Sequence, residues 1–156
     1  MTPAIDKAKQ LNLAFSIHQY THNNTASAYG QEAADKLGIE YDRVFKTLVV
    51  SSSNGEMAVA VIPVSRVLNM KLVAKAIGWK KVAMADKLAV TRSTGYVLGG
   101  VSPLGQKKTL KTLIDKSSLQ FSTIFVSAGK RGLEIEIAAE ELATASNGIF
   151  DDITGV

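Results

Sequence analysis

Residues 99–108 read GGVSPLGQKK, a run in which glycines that let a backbone approach a ligand stand beside two lysines that could hold an anion. Two known chemistries use loops of nearly this form. Gly100 and Gly105 have the spacing of a phosphate-cradling P-loop, but Gln106 stands where that motif needs lysine and Pro103 falls inside the loop. A strand rather than a helix is expected to follow, so the helix N-terminus that makes such a loop bind phosphate is missing. Gly100-Val101-Ser102 has instead the start of a serine-hydrolase elbow, with the second glycine one position late and proline after the serine. Both histidines, His18 and His22, lie far upstream, against the chain order that a triad on that fold requires. Ser102 is therefore read as a turn residue.

The two histidines are four apart, a spacing that aligns side chains on a helix, but they fall in or just after an expected strand. There the spacing does not converge on a metal. With no cysteine in the chain, disulfides, thiolate zinc sites and a cysteine nucleophile are excluded. No metal and no cofactor are expected. What remains is glycine-rich backbone, lysines and hydroxyls, without a nucleophile–base pair. An enzyme built from these must do easy chemistry on an activated substrate. It would offer backbone N–H groups to a developing oxyanion and take its nucleophile from water or from the substrate itself.

Charge points to the partner. The net charge is +4, and the lysines gather: Lys75 with Lys80 and Lys81, Lys107 and Lys108 with Lys111, and Lys130 with Arg131. Three basic clusters on a chain of 156 residues favour RNA or phosphate contacts. The start, MTPAIDKAKQLN, lacks the basic and apolar regions of a signal peptide, and the longest apolar run, Met57–Val64, is too short to span a bilayer. A cytoplasmic protein without a membrane partner is expected.

The elements that must position these residues follow from caps, turns and periodicity. Thr2-Pro3 opens a helix to about Gln10, and Phe15–Tyr20 alternates as a strand. A helix opening at Thr25 carries Ala33, Ala34 and Leu37 and stops at Gly38; Val44–Val50 and Glu56–Pro63 form a hairpin around Asn54-Gly55. Asn69–Gly78 reads as a helix, Lys81–Ala85 as a strand, and Asp86 caps a helix to about Arg92. Strands are expected at Thr109–Ile114, Phe121–Ser127 and Leu133–Ile137, the last two joined by a turn over Ala128–Gly132, and a helix closes at Ala139–Ala145. The class is α+β: one domain over 1–156, with a mixed, mainly antiparallel sheet of about seven strands that curls toward a partial barrel, and four or five short helices around it.

Four stretches together resemble the YbaK/EbsC family, with the YbaK branch of bacterial Cys-tRNA(Pro) deacylases closest. They are MTPAID, Phe45-Lys46-Thr47-Leu48, the segment from Ser93 to Lys108, and Val126–Leu133. The likeness runs in order along nearly the whole chain. It implies a fold related to the editing domain inserted in bacterial prolyl-tRNA synthetases. It implies trans-editing, the removal of cysteine from mischarged tRNA(Pro), with the tRNA(Pro) acceptor end and prolyl-tRNA synthetase as partners. The expected reaction is substrate-assisted: the cysteine thiol attacks its own carbonyl and releases the tRNA 3′ hydroxyl. The alternatives are an editing factor that clears alanine or another small residue with water, and a non-catalytic RNA- or synthetase-binding module.

The resemblance also assigns roles. Lys46 matches the family's essential lysine, and Gly99, Gly100 and Pro103 its GxxxP loop, where backbone N–H groups meet the scissile carbonyl. Tyr20, Thr47 and Ser127 match substrate-site positions. Glu134 stands where relatives often carry aspartate, with Glu136 on the same strand face as a fallback. Lys107, Lys108, Lys130 and Arg131 are candidate tRNA contacts.

Overall fold

The computed structural model describes residues 2–23 and 29–155. The chain begins with α1 (Pro3–Gln10), whose N-cap Thr2 accepts the Ile5 N–H and whose Ala4, Ile5 and Ala8 are buried. β1 (Phe15–Gln19) leads to α2 (Tyr29–Leu37), ended by Gly38 at φ 69°; the expected opening of this helix at Thr25 lies outside the described residues. After a 3-10 turn at Tyr41–Arg43, β2 (Phe45–Ser52) and β3 (Met57–Pro63) form the Asn54-Gly55 hairpin. Gly55 takes φ 83° there, and Ser52 Oγ accepts the N–H groups of Asn54 and Glu56.

β4 (Val67–Leu68) precedes α3 (Met70–Ile77), capped by the Asn69 side chain and closed by Gly78 in the left-handed conformation. β5 (Val82–Met84) and α4 (Lys87–Thr94), capped by Asp86, follow. β6 (Lys111–Asp115), β7 (Ile124–Lys130), β8 (Leu133–Ile137), α5 (Ala139–Ser146), β9 (Ile149–Asp151) and β10 (Thr154–Gly155) complete the order. Among the described residues no helix is long and apolar enough to cross a membrane.

The strands form a five-stranded sheet in the order β5-β2-β3-β6-β9, a three-stranded antiparallel sheet β1-β8-β7, and the ribbon β10-β4. The larger sheet is mixed, since β6 runs parallel to both β3 and β9. A single parallel bridge joins Val44, the residue before β2, to Phe125 of β7, so the two sheets meet along one side. β3 is buried at every residue after Met57 because both faces of its sheet are covered. Odd-numbered Phe45, Val49, Val59 and Val61 pack with Val126, Ile135 and Leu142; even-numbered Val50, Ala58, Ala60 and Ile62 pack under Val73 of α3.

Two differences from expectation matter for the site. The second-last expected strand, Phe121–Ser127, begins later, because residues 116–120 form a 3-10 turn whose end is closed by the Phe121 N–H on Ser118 O. It also runs further, to Lys130, through a bulge between Ser127 and Lys130 where Gly129 takes φ 100°. The hairpin turn is therefore only Arg131-Gly132, and it lifts Lys130 and Arg131 to the tip. The strands β4, β9 and β10 are additional to the seven expected; two or three residues carry no readable alternation.

α1 is locked onto the loop before β6. A Cβ at Gly105, which sits at φ 66°, would meet Pro3 O at 2.5 Å. Gly105→Ala is expected to lower unfolding free energy by about 2 kcal/mol or more, through left-handed strain and backbone overlap together. Urea denaturation of the variant against wild type measures it.

Candidate functional site

β2 has an open edge. β5 pairs only with Val50–Ser52, and the one bridge toward β7 is made by Val44, just before β2, with Phe125, so among the described residues the Phe45–Leu48 stretch has no strand partner on the side away from β3. The gap between that edge and the β7–β8 hairpin is a cleft of about 340 Å³. Side chains from both faces of β2 reach it. Lys46 and Thr47 lie on one wall, Ser127 and Glu134 on the other, with Tyr20 beside β1 and Gly99 in the roof. Lys130 and Arg131 stand at its rim from the hairpin tip.

The roof is the loop between α4 and β6, held by its own bonds. Tyr96 donates its hydroxyl to Leu104 O at 2.6 Å, and its ring lies over Gly129, where a Cβ would come within 2.6 Å. Ser102 Oγ accepts the Leu104 N–H, Gln106 donates to Ser102 O, and Arg131 donates to Leu98 O at 2.9 Å. Ser102 is fully buried, in keeping with a turn role. Gly99 takes φ 85°, and the Gly100 N–H is bound by Val97 O at 2.9 Å. A Cβ at Gly100 would meet Lys130 Cα at 3.3 Å, so this glycine serves close packing of loop on hairpin.

Eight of the residues singled out from the sequence thus share one cleft: Tyr20, Lys46, Thr47, Gly99, Ser127, Lys130, Arg131 and Glu134. Gly100 stands behind the roof. Pro103 faces a separate groove against α1, which Lys108 also lines, and Lys107 is exposed on the turn where its N–H meets Thr94 O. Glu136 is also elsewhere. It accepts from Thr123 at 2.6 Å, contacts His18 Nε2 at 2.9 Å and Arg43 at 3.1 Å, and lies below the usual carboxylate range, chiefly through the Thr123 hydrogen bond.

Several contributors lie outside the candidate site residues named from the sequence. Phe45, Leu48, Leu98 and Val101 make the cleft largely apolar, but in the sequence they look like ordinary core. Gly30 lines it because a Cβ there would strike Val64 Cγ1 at 2.4 Å, next to Lys46. Glu32 is buried, contacting His22 Nδ1 at 2.7 Å and accepting the Asn23 N–H at 2.8 Å. Burial pushes the Glu32 carboxyl up, but the bonds from His22 and Asn23 outweigh it and the net shift is downward. The two histidines are thus engaged by different carboxylates.

Inside the cleft the polar groups are donors rather than bases. Glu134 is 6% exposed, and among the described residues no cation is in ion-pair contact with it. Burial raises its carboxyl to about 8. Burial likewise raises the Tyr20 phenol above its ordinary value. Ser127 Oγ accepts the Gly129 N–H at 3.1 Å, and Thr47 Oγ1 is buried without a hydrogen-bond partner among the described residues. At neutral pH the site therefore presents a carboxylic acid, a phenol, two hydroxyls and an ammonium around an apolar pocket.

Glu134 ties stability to pH. Below about 4.5 both folded and unfolded states hold its proton; between there and about 8 only the folded state does. Its contribution is therefore complete at low pH and is lost as pH rises through about 8. Glu134→Gln is expected to flatten the fall in thermal stability between pH 5 and 8, read as Tm at pH 5, 6.5 and 8. Parallel profiles for the two proteins would mean that Glu134 is ionised when folded.

Comparison with known proteins agrees with this architecture. Residues 22–145 match the family model of the aminoacyl-tRNA editing domain. The chain is 45% identical over 124 residues to EbsC of Enterococcus faecalis, named as a candidate Cys-tRNA(Pro)/Cys-tRNA(Cys) deacylase, covering 80% of this chain and 76% of that one. It is 26% identical over 102 residues to a proline–tRNA ligase of Pelobacter propionicus, covering 65% of this chain and 18% of the ligase. A solved structure described as a candidate trans-editing enzyme for prolyl tRNA synthetase superposes with a TM-score of 0.84 at 17% identity, covering 100% of this chain and 99% of that one. A match across most of the chain, on a fold whose cleft gathers the residues quoted from the sequence, decides the matter: this protein belongs to the aminoacyl-tRNA editing domain family.

Proposed function

We propose that the chain is a trans-editing deacylase that removes cysteine from mischarged Cys-tRNA(Pro), using the substrate's own thiol. The observation that carries this reading is the cleft's chemistry: it offers donors and a protonated Glu134 and, among the described residues, no base that could activate water or a hydroxyl. Cysteine brings a nucleophile whose ordinary value, about 8.5, lies near that of the buried carboxyl. The relative with 45% identity carries a name for this activity, and the partial match to a proline–tRNA ligase supports tRNA(Pro) as the RNA.

In this mechanism the thiol sulfur bonds to the carbonyl carbon as the ester carbon–oxygen bond breaks. Glu134 gives its proton to the departing 3′ oxygen and regains one from the thiol, so the protein ends as it began. The product is a strained thiolactone that water opens to cysteine. The Gly99 and Val101 N–H groups are the roof's donors for the oxyanion, because that of Gly100 is already bound to Val97 O. Lys46 steadies the negative charge near the ester, and Thr47 Oγ1, without a partner among the described residues, meets a polar group of the substrate. Gly100 and Pro103 act indirectly, by fixing the loop. Selection of tRNA(Pro) comes from a complex with prolyl-tRNA synthetase, which places the protein in the cytoplasm with the translation machinery.

Lys46→Ala is expected to lower deacylation by about 10²–10³-fold while tRNA affinity changes by less than about threefold. Rapid-quench deacylation and filter binding measure the two. Wild-type protein that binds RNA but turns over no mischarged tRNA would leave only a binding module. A panel of Cys-, Ala- and Ser-tRNA(Pro) is expected to show cysteine released fastest; faster alanine release contradicts the thiol mechanism and favours attack by water.

A further inference from the structure

The ester cleft has a neighbour. A second hollow, of about 540 Å³, lies between Gln19, Tyr20, Thr21 and His22 on one side and Lys130 and Arg131 on the other. Tyr20, Lys130 and Arg131 belong to both walls, so the two hollows share a rim. Their chemistry differs. The cleft is largely apolar and contains Glu134, whereas no aspartate or glutamate lines the second hollow among the described residues. We propose that this second hollow is a phosphodiester subsite that holds the phosphate preceding the 3′-terminal adenosine of the substrate RNA. The inference rests on reading the cleft as the site of the aminoacyl ester.

The geometry follows the covalent order of an RNA 3′ end. Ester, ribose and phosphate succeed one another, so a site that encloses the ester must meet an anion one ribose away. Here the basic wall begins where the apolar cleft stops, at Lys130 and Arg131 on the shared rim. The hollow is also rigidly built. The Tyr20 N–H donates to Gly132 O at 3.0 Å, and a Cβ at Gly132, which sits at φ 86°, would meet Tyr20 O at 2.8 Å. The hairpin tip and the end of β1 are thereby fixed to one another, with Arg131 anchored on Leu98 O. His22 is held in place by the Glu32 carboxylate beneath it. The backbone that carries Lys130 and Arg131 is thus preformed, which reduces what must be ordered when a phosphate binds. The other basic pair does not fit the role: Lys108 lines a groove that also contains Asp6 and does not adjoin the cleft.

The test uses two RNA trinucleotides that carry no amino acid: CCA, and CCA with a neutral methylphosphonate in place of its last phosphodiester. Affinity for wild type, Lys130→Ala and Lys130→Arg is measured by NMR titration. Lys130 is exposed at the end of β7, so its replacement is compatible with folding. Neutralising the phosphate is expected to weaken wild-type binding about tenfold, the size of a lost charge-assisted contact. In Lys130→Ala the two trinucleotides should bind within about twofold of each other, and Lys130→Arg should restore most of the difference. Amide shifts of Thr21, His22 and Gly132 should separate the two ligands in wild type. Equal affinity of wild type for both, or the same penalty in wild type and Lys130→Ala, overturns the subsite. Neither trinucleotide can be deacylated, so a failure of the deacylase reading shows only in the mischarged-tRNA panel and leaves this result separately readable.

Discussion

The cleft depends on one constraint: a carboxyl group is buried with no cation in ion-pair contact among the described residues. Glu134 avoids the cost of ionisation by keeping its proton, and its environment is arranged so that this is the cheaper state. Two residues further along β8, Glu136 has the opposite surroundings, with Arg43, His18 and the Thr123 hydroxyl around its carboxylate. The same side chain on the same strand thus becomes a proton donor in one place and a structural anion in the other. What separates them is the apolar wall of Phe45, Leu48, Leu98 and Val101, which surrounds the first and does not reach the second.

That wall exists because β2 is left without a partner along half its length. The Val44–Phe125 bridge holds the two sheets together at one point, and beyond it they diverge. An open strand edge is ordinarily a liability, exposed to pairing with another chain. Here the β7–β8 hairpin and the roof loop cover it at a distance, which turns the edge into a pocket. The roof keeps that distance through Tyr96, whose ring requires glycine at 129 and whose hydroxyl fixes Leu104 O. Burial of this phenol pushes it up to about 12, so it remains a hydrogen-bond donor throughout the physiological range. Positioning of this kind, rather than a strong base, is what an activated ester requires.

Much of this was legible in the sequence, and for specific reasons. Local signals placed α1 at Thr2-Pro3, α3 between Asn69 and Gly78, and the hairpin at Asn54-Gly55, because caps and turns are decided by a few neighbouring residues. Residues known through the family resemblance, such as Lys46 and Ser127, fell together in the cleft. Features set by tertiary contact were not legible. The bulge at Gly129 narrowed the expected turn, and the short strands β4, β9 and β10 exist only because partners lie beside them. The resemblance implies N–H donors from the Gly99–Pro103 loop; in the structure Gly99 and Val101 line the cleft while Gly100 packs against Lys130 and Pro103 lines the groove against α1. Spacing along the chain could not show which glycine meets a ligand and which meets the protein.

The thiol mechanism turns on the protonation state of Glu134, and that state can be observed on the residue itself. A carbon-13 NMR titration of its side-chain carboxyl in the folded protein should show a midpoint at about 8, with the group neutral at pH 7. A midpoint near 4.5, the ordinary value, would place a carboxylate in the cleft at neutral pH. The site would then hold a base capable of activating water, and catalysis would not need a nucleophile borrowed from the substrate.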